Sequence, residues 1–97
     1  MKKEEIFSIV IANVKDLVET FPEDEQFEVT NETILFGNGS QIDSLSLVSV
    51  IVDLEMLFLD EYEKEISLTD DRAMTREISP FDNVSNLVDY MVEILNE

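Results

Sequence analysis

Residues 42–62 read IDSLSLVSVIVDLEMLFLDEY, a run long enough and apolar enough to form the central helix of a small domain. Asp43 is a good helix N-cap, because its carboxylate can accept from the free backbone N–H groups of a first turn. From Ser44 to about Tyr62 no proline or glycine interrupts the pattern. At about 100° per residue, Leu47, Val50, Ile51, Leu54 and Phe58 gather on one stripe, the spacing of an ordinary core face. Leu45, Val48, Val52, Met56 and Leu59 gather on a second stripe, centred about 140° away on the same wheel. A small helical domain rarely buries so broad an arc of one helix. The second stripe is therefore either covered by another helix or left to meet something else.

The flanking segments supply the rest of the fold. Upstream, Ile6, Phe7, Val10, Ile11, Val14, Leu17, Val18 and Phe21 recur at three- and four-residue steps, with Lys15, Asp16 and Glu19 between them. Pro22 ends this helix, since proline disfavours helical geometry in the residue before it. Residues 23–42 form a long connection, in which Ile34, Leu35 and Phe36 are expected to fold back over the core and Gly37-Asn38-Gly39-Ser40 to turn the chain. Downstream, Thr69 is expected to cap a short helix over Asp70–Arg76. Asp82 or Asn83 then caps a last helix in which Val84, Leu87, Val88, Met91, Ile94 and Leu95 are periodic. Three longer helices and one short one predict an all-α four-helix bundle, a single domain over residues 1–97.

Composition narrows what such a bundle can do. The 97 residues carry 23 acidic side chains against 6 basic ones, a net charge of −17, yet 44% are hydrophobic. That apolar content is too high for a disordered acidic chain. The charge is spread along the whole length, so nucleic acid and anionic lipid surfaces are repelled. No apolar run approaches the ~18 residues of a spanning helix. The apolar stretch near the N-terminus breaks at Asn13, Lys15 and Asp16, unlike a signal peptide, which predicts a cytoplasmic protein. There is no cysteine and no histidine, so thiolate chemistry and the commonest general base and metal ligand are absent. Ser44 stands beside Asp43, but a hydroxyl without a base is a poor nucleophile, and Lys2, Lys3, Lys15 and Lys64 show no Ser–Lys arrangement. Neither an enzyme nor a metal site is expected.

One motif remains specific. Ile42-Asp43-Ser44-Leu45-Ser46-Leu47-Val48-Ser49, then Leu54-Glu55 and Phe58, resembles the serine helix of the acyl carrier protein family, the phosphopantetheine-attachment domains. Asn83-Val84-Ser85-Asn86-Leu87-Val88-Asp89-Tyr90-Met91 is similar to that family's last helix, so the resemblance covers essentially the whole chain. It implies an acyl-carrier-like bundle in which Ser44, flanked by Asp43 and Leu45, receives 4′-phosphopantetheine from coenzyme A. The thiol of that arm then carries an acyl group as a thioester. By the same resemblance, Leu45, Val48, Val52, Glu55 and Met56 form the partner-docking face, and Ile51, Leu54 and Phe58 line an acyl cavity. The implied partners are a phosphopantetheinyl transferase and acyl-loading and acyl-transfer enzymes with basic docking patches. The carrier itself is expected to be a monomer serving fatty-acid-like or specialised biosynthesis.

The chain departs from the family's usual pattern in ways that bear on its partners. Ser46, Ser49 and Met56 stand where acidic residues are frequent, and the segments after the second helix are longer than usual. These departures point to a specialised carrier. Two other readings stay open: an aminoacyl or peptidyl carrier of the same fold, including a D-alanyl carrier, and an acidic protein-interaction domain with Ser44 unmodified.

Overall fold

The computed structural model describes residues 2–37, 39–69 and 79–96. Within them the chain is all-α, with α1 (Lys3–Glu19), α2 (Ser44–Tyr62) and α3 (Val84–Leu95), and a short 3-10 turn at Glu23–Glu25. Among the described residues extended pairing is limited to an isolated antiparallel bridge between Ile34 and Asn83. The short helix expected over Asp70–Arg76 lies outside the described residues.

The first helix stops earlier than its apolar periodicity suggests. Its buried residues, Ile6, Val10, Val14 and Val18, repeat every fourth position. Thr20 then closes the end, its hydroxyl donating to the Leu17 carbonyl at 2.6 Å. The backbone N–H of Phe21 still donates to the Val18 carbonyl at 3.0 Å, but Phe21 is already outside the helix. Pro22 keeps its predecessor out of helical geometry, and the unwinding reaches back one further residue.

α1 packs against both α2 and α3, so it is the element on which the other two are assembled. From α2 come Leu47, Val50, Ile51, Leu54 and Phe58, and from α3 Val84, Leu87, Val88, Tyr90, Met91 and Leu95, all in one buried cluster with the α1 valines. Each large apolar side chain in that cluster contributes about 1.5–3 kcal/mol. Tyr90 is wholly buried, although its hydroxyl makes it look like a surface residue in sequence. An exposed ion pair between Lys3 and Asp89, 2.9 Å, joins α1 to α3. Pairs this exposed add at most about 1 kcal/mol.

The long connection is held by scattered anchors. Val29, Leu35 and Ile42 are buried, while Ile34 and Phe36 on either side of Leu35 are 39% and 55% exposed. The expectation that Ile34, Leu35 and Phe36 all cover the core therefore holds for Leu35 alone. Neighbouring side chains of an extended segment point to opposite sides, so only the middle one can face inward. The backbone here also completes the start of α3. The N–H groups of Val84 and Ser85 donate to the carbonyls of Thr33 and Asn31 at 3.0 and 2.9 Å, and the Leu35 N–H donates to Asp82 at 3.3 Å. Asn83, the cap, accepts from the Asn86 N–H at 2.8 Å. The donors that a helix leaves free at its N-terminus are thus satisfied by the connection. The Ser40 hydroxyl accepts from the Ile42 N–H at 3.1 Å and donates to one of three nearby carbonyls, Ile42 being closest at 2.9 Å.

At its other end α2 stops on Glu63, which lies in the left-handed region at φ 55°. The following Lys64 N–H donates back to the Phe58 carbonyl at 2.9 Å. Glycine is the usual residue at this position because a Cβ there is strained, and a negative charge also opposes the helix dipole at its C-terminus. Glu63→Gly is expected to raise stability by about 0.5–1 kcal/mol, the relief of the strained Cβ exceeding the added freedom of the unfolded chain. Urea unfolding checks this: the midpoint should rise while the slope stays unchanged.

Candidate functional site

Ser44 is the first residue of α2 and is exposed to solvent. Its place is fixed from both sides. Ile42, two residues before it, is buried in the core, and Asp43 holds the helix start in extended geometry. The Asp43 carboxylate accepts from the Ser46 N–H at 2.7 Å, and its carbonyl accepts from the Leu47 N–H at 3.0 Å. The N–H groups of Ser44 and Leu45 belong to the first turn and have no intrahelical acceptor.

The Ser46 backbone N–H, and after it the Ser46 hydroxyl, hold the Asp43 carboxyl below its ordinary value; slight desolvation opposes them. The Ser46 hydroxyl therefore reinforces the cap. A depressed carboxyl pKa in the fold means that the cap is fully effective above the unfolded value. Its contribution fades as pH falls through the lower, folded value. Wild type should lose helix-start protection in acid, whereas Asp43→Ala should show reduced protection already at neutral pH and little further loss. Amide hydrogen exchange of Ser46 and Leu47 measured across the acid range reads this directly.

Beside Ser44 runs the second stripe. Leu45 is 80% exposed, and Val48, Val52, Met56 and Leu59 follow it down the helix at 52%, 43%, 56% and 52%. Tyr62 extends the line at 39%, its ring lying 5.4 Å from that of Phe58. At 1.5 Å per residue the strip from Leu45 to Leu59 is about 21 Å long. Contiguous exposed apolar surface of this kind marks an interaction surface more often than chance. Tyr62 carries a hydroxyl and falls at the edge of the wheel, so apolar spacing alone did not include it.

Glu55 stands apart from the residues with which the resemblance groups it. It is half-buried, and its carboxylate accepts from the Leu68 N–H at 2.8 Å. It ties the segment after α2 back onto the helix, a link across thirteen residues that no local pattern announces. Ile51, Leu54 and Phe58 face the opposite way from the stripe and are closed into the core, 5%, 0% and 0% exposed. Surface clefts open along the long connection. One of about 200 Å³ opens beside Asp43, between Phe21, Glu25 and Gln41. Another, of about 280 Å³, lies over the long connection.

The chemistry available at this site is limited. Among the described residues no three acidic, histidine or cysteine side chains come together to hold a metal ion. The carboxylate that precedes Ser44 in the chain, Asp43, is committed to the cap. The arrangement offers an accessible hydroxyl at a helix N-terminus, on the rim of an apolar strip. Among the described residues no helix is long and apolar enough to cross a membrane. Compared with protein-family models, with curated proteins and with solved structures, the chain finds no match.

Proposed function

We propose that the protein is a carrier of the acyl-carrier type, in which Ser44 bears a 4′-phosphopantetheine arm. The observation that supports it best is the conjunction at the start of α2: an exposed serine, rigidly placed by a capped helix and a buried neighbour, next to an exposed apolar strip. A serine without a base suits a group that another enzyme attaches. In that reaction the Ser44 oxygen attacks the phosphate adjoining the pantetheine of coenzyme A. A Ser–O–P bond forms, the pyrophosphate bond breaks, and the nucleotide half leaves while the transferase takes the serine proton.

This chain's residues fit the group. A phosphate on Ser44 lies at the N-terminus of α2, where the Ser44 and Leu45 N–H groups and the helix dipole favour negative charge. The Asp43 carboxylate, engaged with Ser46, has its charge partly offset by that bond. When bound, the arm supplies a thiol that holds acyl groups as thioesters, a chemistry for which the chain has no cysteine of its own. Leu45, Val48, Val52 and Met56 offer partners a surface to desolvate, and the acidic surroundings steer basic partners toward it. The experiment that tests the reading is incubation with coenzyme A and a broad-specificity phosphopantetheinyl transferase, followed by intact mass.

The exposed strip also favours a second reading, in which the domain only binds a partner and Ser44 stays unmodified. The two differ in the mass result. In either case Val52→Asp is expected to change stability by no more than about 0.5 kcal/mol, since the side chain is on the surface. Partner binding should weaken, which a pull-down or transfer assay with the cognate enzyme reads. Unfolding of this variant would place Val52 in the core and sink the docking assignment.

A further inference from the structure

Glu55 faces two ways. On α2 it stands three residues after Val52 and four before Leu59, so it neighbours both on the helix surface and borders the exposed strip. Its carboxylate nevertheless turns to the segment after the helix and accepts from the Leu68 N–H at 2.8 Å. Leu68 has no exposed surface and belongs to the same buried cluster as Leu54 and Phe58. A carboxylate at the edge of the strip therefore helps to seat a core side chain.

Residues 63–69 have the build of a strap. Glu63, Lys64, Glu65, Ser67 and Thr69 are exposed, and only Leu68, with Ile66 partly buried, reaches the core. The strap leaves α2 through Glu63, whose φ of 55° is a strained geometry for a residue with a Cβ. Its near end is fixed by the Lys64 N–H, which donates to the Phe58 carbonyl at 2.9 Å. Its far end is held by the Leu68 side chain and by the bond to Glu55. An N–H bound to a charged carboxylate is among the stronger hydrogen bonds. Segments with so few buried contacts open locally, before the whole fold does.

We infer that Glu55 is the latch of this strap, and that a cationic group of a partner docked on the strip opens it by taking the carboxylate. A guanidinium beside Val52 and Leu59 competes with a single backbone N–H for the same group and can bind both of its oxygens together. With the carboxylate drawn outward, the Leu68 N–H loses its acceptor, Leu68 leaves the cluster, and the strap swings about Glu63. Docking and strap are then coupled, and the coupling is reciprocal: a chain whose strap is open binds a basic partner more tightly. The inference rests on the strip as a docking surface, which both readings of Ser44 share. It makes Glu55 a positioning residue, available to partners only when the strap is open.

The test needs no partner, because the competing cation can be built into the strip. Leu59→Arg sets a guanidinium four residues after Glu55, the favourable order for an i, i+4 pair. Amide hydrogen exchange of the full chain is followed by NMR in wild type, Glu55→Ala, Leu59→Arg and Leu59→Gln, with the amides of α1 and α3 as reference. Glu55→Ala should speed Leu68 exchange by about tenfold or more while the reference amides keep their rates. Should that variant fail to fold, Glu55→Gln, which keeps an acceptor oxygen without the charge, carries the same comparison with a smaller increase. Leu59→Arg should speed Leu68 exchange about twofold, Leu59→Gln should leave it unchanged, and high salt should erase the difference. The inference is overturned if Leu68 exchange is indifferent to the Glu55 variants, or if Leu59→Arg behaves as Leu59→Gln does. Leu68 exchanging in wild type only together with the α1 and α3 amides overturns it too, since the segment then opens with the whole fold. None of these results bears on whether Ser44 is modified, which the mass measurement decides separately.

Discussion

Replacing Phe58 with alanine is expected to destabilise the fold by about 3–5 kcal/mol, the cost of removing a buried ring and leaving a cavity. Phe58 has no exposed surface, packs its ring against Tyr62, and lies where the carbonyl of the same residue receives the Lys64 N–H that ends α2. A domain of this size has a total stability of roughly 5–15 kcal/mol. The net charge of −17 repels itself in the compact state and pulls the value toward the lower end. Phe58→Ala should therefore be partly or wholly unfolded at low ionic strength. Urea unfolding followed by helical circular dichroism measures this, with Val52→Asp as the control on the opposite face. A loss below about 1 kcal/mol for Phe58→Ala would mean that the site can refill, and that the core is looser than its burial indicates.

That contrast between two residues six positions apart also shows what the sequence made legible. On a single helix the period of the apolar residues separates two faces, and the structure buries one and exposes the other as the wheel implies. Capping is equally local: Asp43 and Asn83 are short polar side chains just ahead of apolar runs, and both accept from an N–H three residues on. Local rules could not show what depends on distant partners. Nothing near Glu55 in the chain indicates that its carboxylate is taken by Leu68. Nothing in Asn31 or Thr33 indicates that their carbonyls complete the first turn of α3. The run Ile34-Leu35-Phe36 reads as a uniformly apolar block, yet an extended backbone can turn only its middle side chain inward. The cleft over the connection belongs to this second group. Its lining residues lie at several points of the connection between Phe27 and Gln41, and only the fold brings them together.

Ser44 stood out in the sequence through the resemblance carried by residues 42–49, and the structure adds that it is exposed at the head of α2. The second large effect is expected there, and it is all or none. The apo-protein is incubated with coenzyme A and a broad-specificity phosphopantetheinyl transferase, and intact mass is recorded for wild type and for Ser44→Ala. Ser44 is exposed and contributes nothing to the core, so the alanine variant should fold as wild type does, which circular dichroism confirms. The account predicts that wild type gains the mass of one phosphopantetheine and that Ser44→Ala gains none. A wild type that stays at its starting mass, or a Ser44→Ala variant that is still modified, would contradict it.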